Sequence, residues 1–189
     1  MQPPLTVVYE LWLVLVVVWV IGMFTGKRIA RRESAWTRIV QLIIVVSAYE
    51  LMFNGDLTVG FLGWRFLKPN AASGWVGVAL TAAGVAFALW ARFTLGRNWS
   101  GTVTVKENHE LIVRGPYRIV RHPIYTGFTL GMLGTALVIA QVRGLIAMAL
   151  IVCAWRLKWG VEERFMLEEF GERYADYKKR VSALIPGIW

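Results

Sequence analysis

The chain has 189 residues, 57% of them hydrophobic, with a mean hydropathy of +0.51 and a formal charge of +9. That apolar content excludes an ordinary soluble domain and points to an integral membrane protein. One cysteine and two histidines exclude an internal disulfide and argue against a zinc or iron cage. The positive charge flanks apolar runs, so the positive-inside rule and anionic lipid explain it better than nucleic acid does.

The first apolar run covers residues 5–24 and is interrupted only by Glu10. No basic stretch precedes it and no small-residue cleavage site follows, so it reads as a span and not as a cleaved leader. Lys27, Arg28, Arg31 and Arg32 come next. A second, short span is expected over 36–53, with Glu50 inside it as a helix–helix polar contact. Residues 54–73 form a loop with few charges. The third span, 74–95, carries Gly77, Ala79, Ala82, Ala83, Gly84, Ala86 and Ala88, which suit close helix packing. Arg92, near its end, is expected to snorkel.

Residues 96–121 are polar and contain Arg97, Lys106, Arg114, Arg118 and Arg121. A fourth span over 123–140 and a fifth over 144–158 are separated by Gln141-Val142-Arg143-Gly144, so they form a helical hairpin. Cys153 lies within the fifth span and is expected to be inert. Met166, Phe170, Tyr174, Tyr177 and Val181 then recur at helical spacing and predict an amphipathic tail helix ending near Ile185-Pro186-Gly187.

The expected fold is therefore an all-α integral membrane protein of about five transmembrane helices plus that C-terminal helix. The chain reads as a single domain, 1–189. Basic loops follow the first, third and fifth spans, which puts the N-terminus outside and the C-terminus in the cytoplasm.

Two polar clusters then fall on the cytoplasmic side. Pro123 can open a helix because its missing N–H would be unpaired there, which makes His122 the N-cap. That helix end, with Arg118 and Arg121 beside it, can hold a carboxylate or phosphate; a topology anchor explains the same cations. Glu162 and Glu163 point about 100° apart on a helix and are not a same-face acid pair. Lys158 lies four residues before Glu162 and can reach it. The carboxylate could meet a ligand ammonium, sulfonium or ribose hydroxyl, or simply form a weak surface salt bridge.

Several segments together resemble the isoprenylcysteine carboxyl methyltransferase family and, more broadly, membrane methyltransferases that include phospholipid N-methyltransferases. They are His109-Glu110-Leu111-Ile112, Gly115-Pro116-Tyr117-Arg118, Arg121-His122-Pro123-Ile124-Tyr125-Thr126-Gly127, Glu162-Glu163, and Phe170-Gly171 with Tyr174 and Tyr177. The resemblance runs from about residue 98 to the C-terminus. It implies S-adenosylmethionine as methyl donor, held by His109, Glu110, Leu111, Ile112, Tyr117, His122, Pro123, Ile124, Tyr125 and Glu162.

The place of a family arginine that orients the acceptor is taken here by Lys158, with Arg156 as a nearby substitute. The resemblance implies a lipophilic or prenylated acceptor entering from the bilayer, with isoprenylcysteine-type carboxylate O-methylation foremost. Phospholipid N- and small-thiol S-methylation stay open, and an amine or thiol would need a base such as Glu163, His109 or a tyrosine. A sterol-reductase-like enzyme, a membrane scaffold and a small transporter are competing readings. The polar residues sit at helix ends and no repeat is visible, which goes against a transporter.

Overall fold

A computed structural model describes residues 3–24, 29–32, 34–99, 104–106 and 110–188. Six α-helices carry the architecture: α1 (Pro3–Met23), α2 (Ala35–Phe53), α3 (Ala71–Leu95), α4 (Pro123–Ile139), α5 (Val142–Phe170) and α6 (Glu172–Arg180). Four of them, α1, α2, α3 and α5, are long and apolar enough to cross a membrane; α4 is apolar but has only 17 residues. Leu13, Val17, Ile21, Ile43 and Val46 point their side chains outward, as lipid-facing residues do.

The architecture is helical, as expected, and differs from the five-span plan in three details. Strands β1 (Ile29–Arg32) and β2 (Thr104–Lys106) pair antiparallel and tie the two basic connections together. The fifth span does not stop at residue 158 but continues as one 29-residue helix to Phe170. At ~1.5 Å per residue this helix outruns a ~30 Å hydrocarbon layer, so its last turns, with Glu162 and Glu163, stand clear of it. The tail is likewise not one helix over 166–181. Gly171, with φ +52, ends α5 and lets the chain turn into α6. Lys27, Arg28 and His109 lie outside the described residues.

Two single-residue expectations also change. Glu50 is exposed and accepts a hydrogen bond from Asn54 Nδ2 at 3.1 Å, so it bonds within its own helix end and not across helices. Arg92 does not snorkel. It is 5% exposed, donates to the carbonyls of Gly96 and Gly22, and lies 4.2 Å over the Trp99 ring, where it joins α1 to the end of α3.

The α3–α4 pair is the tightest contact, and glycine makes it possible. A Cβ on Gly84 would lie 2.4 Å from the Gly131 nitrogen and 2.5 Å from the Gly127 oxygen. A Cβ on Gly134 would meet the Gly77 oxygen at 2.4 Å. The close approach brings Thr81 Oγ1 within 3.2 Å of Gly131 O across the pair, and Trp12 Nε1 of α1 donates to Thr135 Oγ1 at 2.9 Å. Gly84→Val must push backbone apart and should cost about 3 kcal/mol or more. Thermal melting in detergent checks this, and an unchanged midpoint would contradict the packing described.

At the far end of the bundle, Ala140 adopts a left-handed conformation (φ 55) and turns α4 into α5, as the expected hairpin requires. Arg143 then caps α2. Its Nη1 donates to the carbonyls of Leu51, Met52 and Asn54 at 2.8, 3.1 and 3.0 Å, groups that a helix end leaves without partners. At the polar end, the tail beyond α6 returns to the start of α4. Arg121 N donates to Ser182 O (2.8 Å), His122 N to Ala183 O (3.0 Å) and Thr126 Oγ1 to Leu184 O (2.8 Å).

Candidate active site

His122 occupies the N-cap of α4, with Pro123 at the first helical position as the sequence predicts. Its backbone N–H is taken by the tail and its ring is 8% exposed. The ring is gripped from both sides by the acidic pair on α5. Nδ1 lies 3.5 Å from Glu162 Oε2, and Nε2 lies 3.2 Å from Glu163 Oε1. The ~100° between adjacent helical residues is what lets two neighbouring carboxylates flank one ring. Burial pushes the His122 pKa down, but the hydrogen bonds and negative charge of Glu162 and Glu163 outweigh this and hold it above the ordinary value.

The two carboxylates have different partners. Glu163 is buried in an ion cluster with Arg121 Nη2 at 2.7 Å and Lys178 Nζ at 2.6 Å. Arg121 also donates to the backbone of Lys178 and Val181. Arg121 is thus spent on Glu163 and the tail, and is not the open anion contact expected at the α4 N-terminus. Glu162 is more open, with 27% of its side chain exposed, and accepts a short hydrogen bond from the Tyr125 hydroxyl.

Four rings stack in a column beside these carboxylates. Trp159 and His122 are 5.8 Å apart at 17°, His122 and Tyr125 5.5 Å at 14°, and Tyr125 and Trp155 4.8 Å at 10°. Trp155 and Trp159 are one helical turn apart on α5, so they present one flat face to the α4 N-terminus. Lys158 Nζ lies 5.8 Å from the centre of the Tyr125 ring and 5.9 Å from that of Trp155. Tyr177 donates to Tyr117 O at 2.6 Å and pins α6 against the 3₁₀ turn over Gly115–Arg118. Burial pushes the Tyr117 hydroxyl pKa well above its ordinary value, and that of Tyr177 to about 12, so both stay neutral donors.

All of this surrounds one cavity of about 530 Å³. That size falls within the roughly 300–1,000 Å³ typical of small-molecule sites. Glu110, Leu111, Ile112, Tyr117, His122, Ile124, Tyr125, Lys158 and Glu162 all line it. Pro123 and Glu163 stand behind the wall. Arg156 is exposed, lies 5.4 Å from the Trp159 ring centre and does not line the cavity.

The sequence reading missed the opposite wall, formed by Trp19, Arg38, Gln41, Leu42, Val45 and Tyr49, and also missed Asn98 and Trp155. On α2 those positions run i, i+3, i+4, i+7 and i+11, a polar-to-apolar stripe that could have been found as such. Arg38 Nε, Asn98 Oδ1 and Trp155 Nε1 are buried without a hydrogen-bond partner. Native proteins rarely leave such atoms unpaired, so two donors and an acceptor await a ligand here. Among the described residues no group of three or more His, Cys, Asp or Glu is placed to hold a metal.

Comparison with known proteins adds an independent line. The profile of the phospholipid methyltransferase family matches residues 72–173. Protein-S-isoprenylcysteine O-methyltransferase B of Arabidopsis thaliana is 32% identical over 100 residues, covering 50% of this chain and 50% of the relative. The protein-S-isoprenylcysteine O-methyltransferase of Mus musculus is 30% identical over 138 residues, covering 70% of this chain and 48% of the relative. The chain thus spans about half the length of these curated relatives. The solved structure of the eukaryotic intramembrane Ras methyltransferase ICMT (isoprenylcysteine carboxyl methyltransferase) superposes with a TM-score of 0.55 at 25% identity. That match covers 78% of this chain and 52% of that one.

Proposed function

This chain belongs to the phospholipid methyltransferase family, and we propose that it transfers a methyl group from S-adenosylmethionine to a lipophilic acceptor at the cytoplasmic membrane face. The favoured acceptor is an isoprenylcysteine-type carboxylate. One observation carries the reading: motif residues from 110–125 and from α5 converge on a single cavity whose other wall is an apolar helix face. Similarity to proteins named isoprenylcysteine O-methyltransferases supports the choice of acceptor.

The residues fit the cofactor. Glu162 offers a carboxylate held in place by Tyr125 and His122, and Asn98 Oδ1 and Trp155 Nε1 are unpartnered polar atoms in the same cavity. Glu110, Leu111, Ile112, Tyr117, His122, Ile124 and Tyr125 would complete the holding set, with Pro123 supporting His122 from behind the wall and His109 beside them in sequence. Bound, S-adenosylmethionine supplies an electrophilic methyl group on a sulfonium.

The chain's own contribution is alignment and exclusion of water. The aromatic column fixes the wall against which the methyl donor rests. Lys158, beside Tyr125 and Trp155, adds positive charge to the cavity wall that draws a carboxylate acceptor inward. A carboxylate acceptor needs no general base, so Glu163 can stay committed to Arg121 and Lys178 and serve as a positioning residue. Arg156 lies outside the cavity and is left without a role in this scheme.

Titration of the detergent-purified protein with S-adenosylmethionine and S-adenosylhomocysteine tests the reading. Micromolar binding, followed by methyl ester formation on an S-prenylcysteine, is expected. Absence of cofactor binding by folded protein would sink it. Methylation of a phospholipid amine in place of the carboxylate would overturn the choice of acceptor.

A further inference from the structure

Resting on that reading, the α2 wall says more about the acceptor. Arg38, Gln41, Leu42, Val45 and Tyr49 line the cavity from one side of a single helix. At ~1.5 Å per residue the stripe is about 16 Å long, with its cation at the polar end and its apolar members below. Phe128, Ala154 and Trp155 line the same cavity from α4 and α5. The α2 side of the cavity is therefore amphiphilic along its length: the Arg38 guanidinium, then a slot between hydrophobic side chains.

The other charged groups nearby are already engaged. Arg121 is bound to Glu163, Lys158 lies against two aromatic rings, and Glu162 is held by Tyr125 and His122. Arg38 differs, because its Nε is buried with no hydrogen-bond partner. A guanidinium N–H buried in a cavity wall is costly unless an acceptor meets it. Its planar fork matches a carboxylate with two parallel hydrogen bonds, which the ammonium of Lys158 cannot reproduce.

We infer that Arg38 is the acceptor-binding cation: its guanidinium holds the carboxylate of a single-chain amphiphile whose apolar chain lies along Leu42, Val45 and Tyr49.

The test is equilibrium binding to the full chain in detergent with S-adenosylhomocysteine present. The probes are N-acetyl-S-farnesylcysteine, its carboxamide and farnesyl phosphate. Wild type should bind the carboxylate more tightly than the carboxamide. Arg38→Met should weaken the carboxylate by roughly tenfold to a hundredfold and leave the carboxamide and S-adenosylmethionine unaffected. Arg38→Lys should recover part of the loss.

Equal wild-type affinity for carboxylate and carboxamide overturns the assignment without need of any variant. Unchanged carboxylate affinity in Arg38→Met overturns it too, as does farnesyl phosphate binding more tightly than the carboxylate. If wild type binds no S-adenosylmethionine yet keeps an Arg38-dependent preference for the carboxylate, the methyltransfer reading falls and this one stands.

Discussion

Glu162→Gln should weaken S-adenosylmethionine binding by roughly tenfold to a hundredfold while the protein stays folded. Glutamine keeps the size of the side chain and an oxygen for the Tyr125 hydroxyl, so the wall of the cavity survives. What goes is the full negative charge on the most open carboxylate of the cluster, 27% exposed against 8% for Glu163. A charge-assisted contact to a bound cation or hydroxyl is worth ~1.5–3 kcal/mol, which sets the size of the loss. Calorimetric titration reads the affinity, and a melting curve taken alongside confirms the fold. Undiminished affinity would move Glu162 out of the binding set and leave it as a partner of His122 and Tyr125.

Glu163→Ala should have the opposite profile, a large loss of stability with the cavity wall chemically unaltered. The carboxylate neutralises Arg121, Lys178 and the His122 ring at once. Removing it leaves a guanidinium of 9% exposure facing its own kind. Stranding one partner of a buried pair typically costs about 3–5 kcal/mol. The melting midpoint in detergent should fall by on the order of 10 °C. Protease should then cut near Gly171, because α6 loses its Lys178 ion pair to α5. A midpoint within error of wild type would mean that the tail is held by its backbone bonds alone.

The same variant should change the response to pH. A His122 pKa raised in the folded state means that the protonated ring stabilises the fold. That contribution is complete below the unfolded value, ~6.5, and is lost as pH rises through the folded value. Wild-type melting should therefore fall as pH climbs above ~6.5, and Glu163→Ala should flatten that slope. Melting series across neutral and alkaline pH check the sign, and a wild-type midpoint that rises there would refute it.

The apolar runs and the helix-opening Pro123 were legible because their signals are local: composition over twenty residues, and one ring that fixes a backbone angle. The motif around Tyr117, His122 and Tyr125 was legible for a related reason, since it packs many chemically distinct side chains into a few positions. The α2 wall was not, because Arg38 to Tyr49 reads as an ordinary short span until a partner helix faces it. Arg92 and Glu50 were misplaced because a charge near a span end has several outlets, and only the neighbouring chain decides among them.

The β1–β2 ribbon left no mark because strands of four and three residues hold too few side chains to alternate. The overrun of α5 past residue 158 was hidden because charged residues end a hydrophobic run without ending a helix.

The return of the tail to the start of α4 rests on carbonyl oxygens of Ser182, Ala183 and Leu184, groups every residue possesses. It also sets an order of events during synthesis. The spans can enter the bilayer one after another as the ribosome delivers them, and α3 can find α4 through its glycines before α5 is made. The polar end of the pocket cannot close until residue 184 has been added. A nascent chain is thus membrane-bound well before it is competent, and residues 182–184 complete the site.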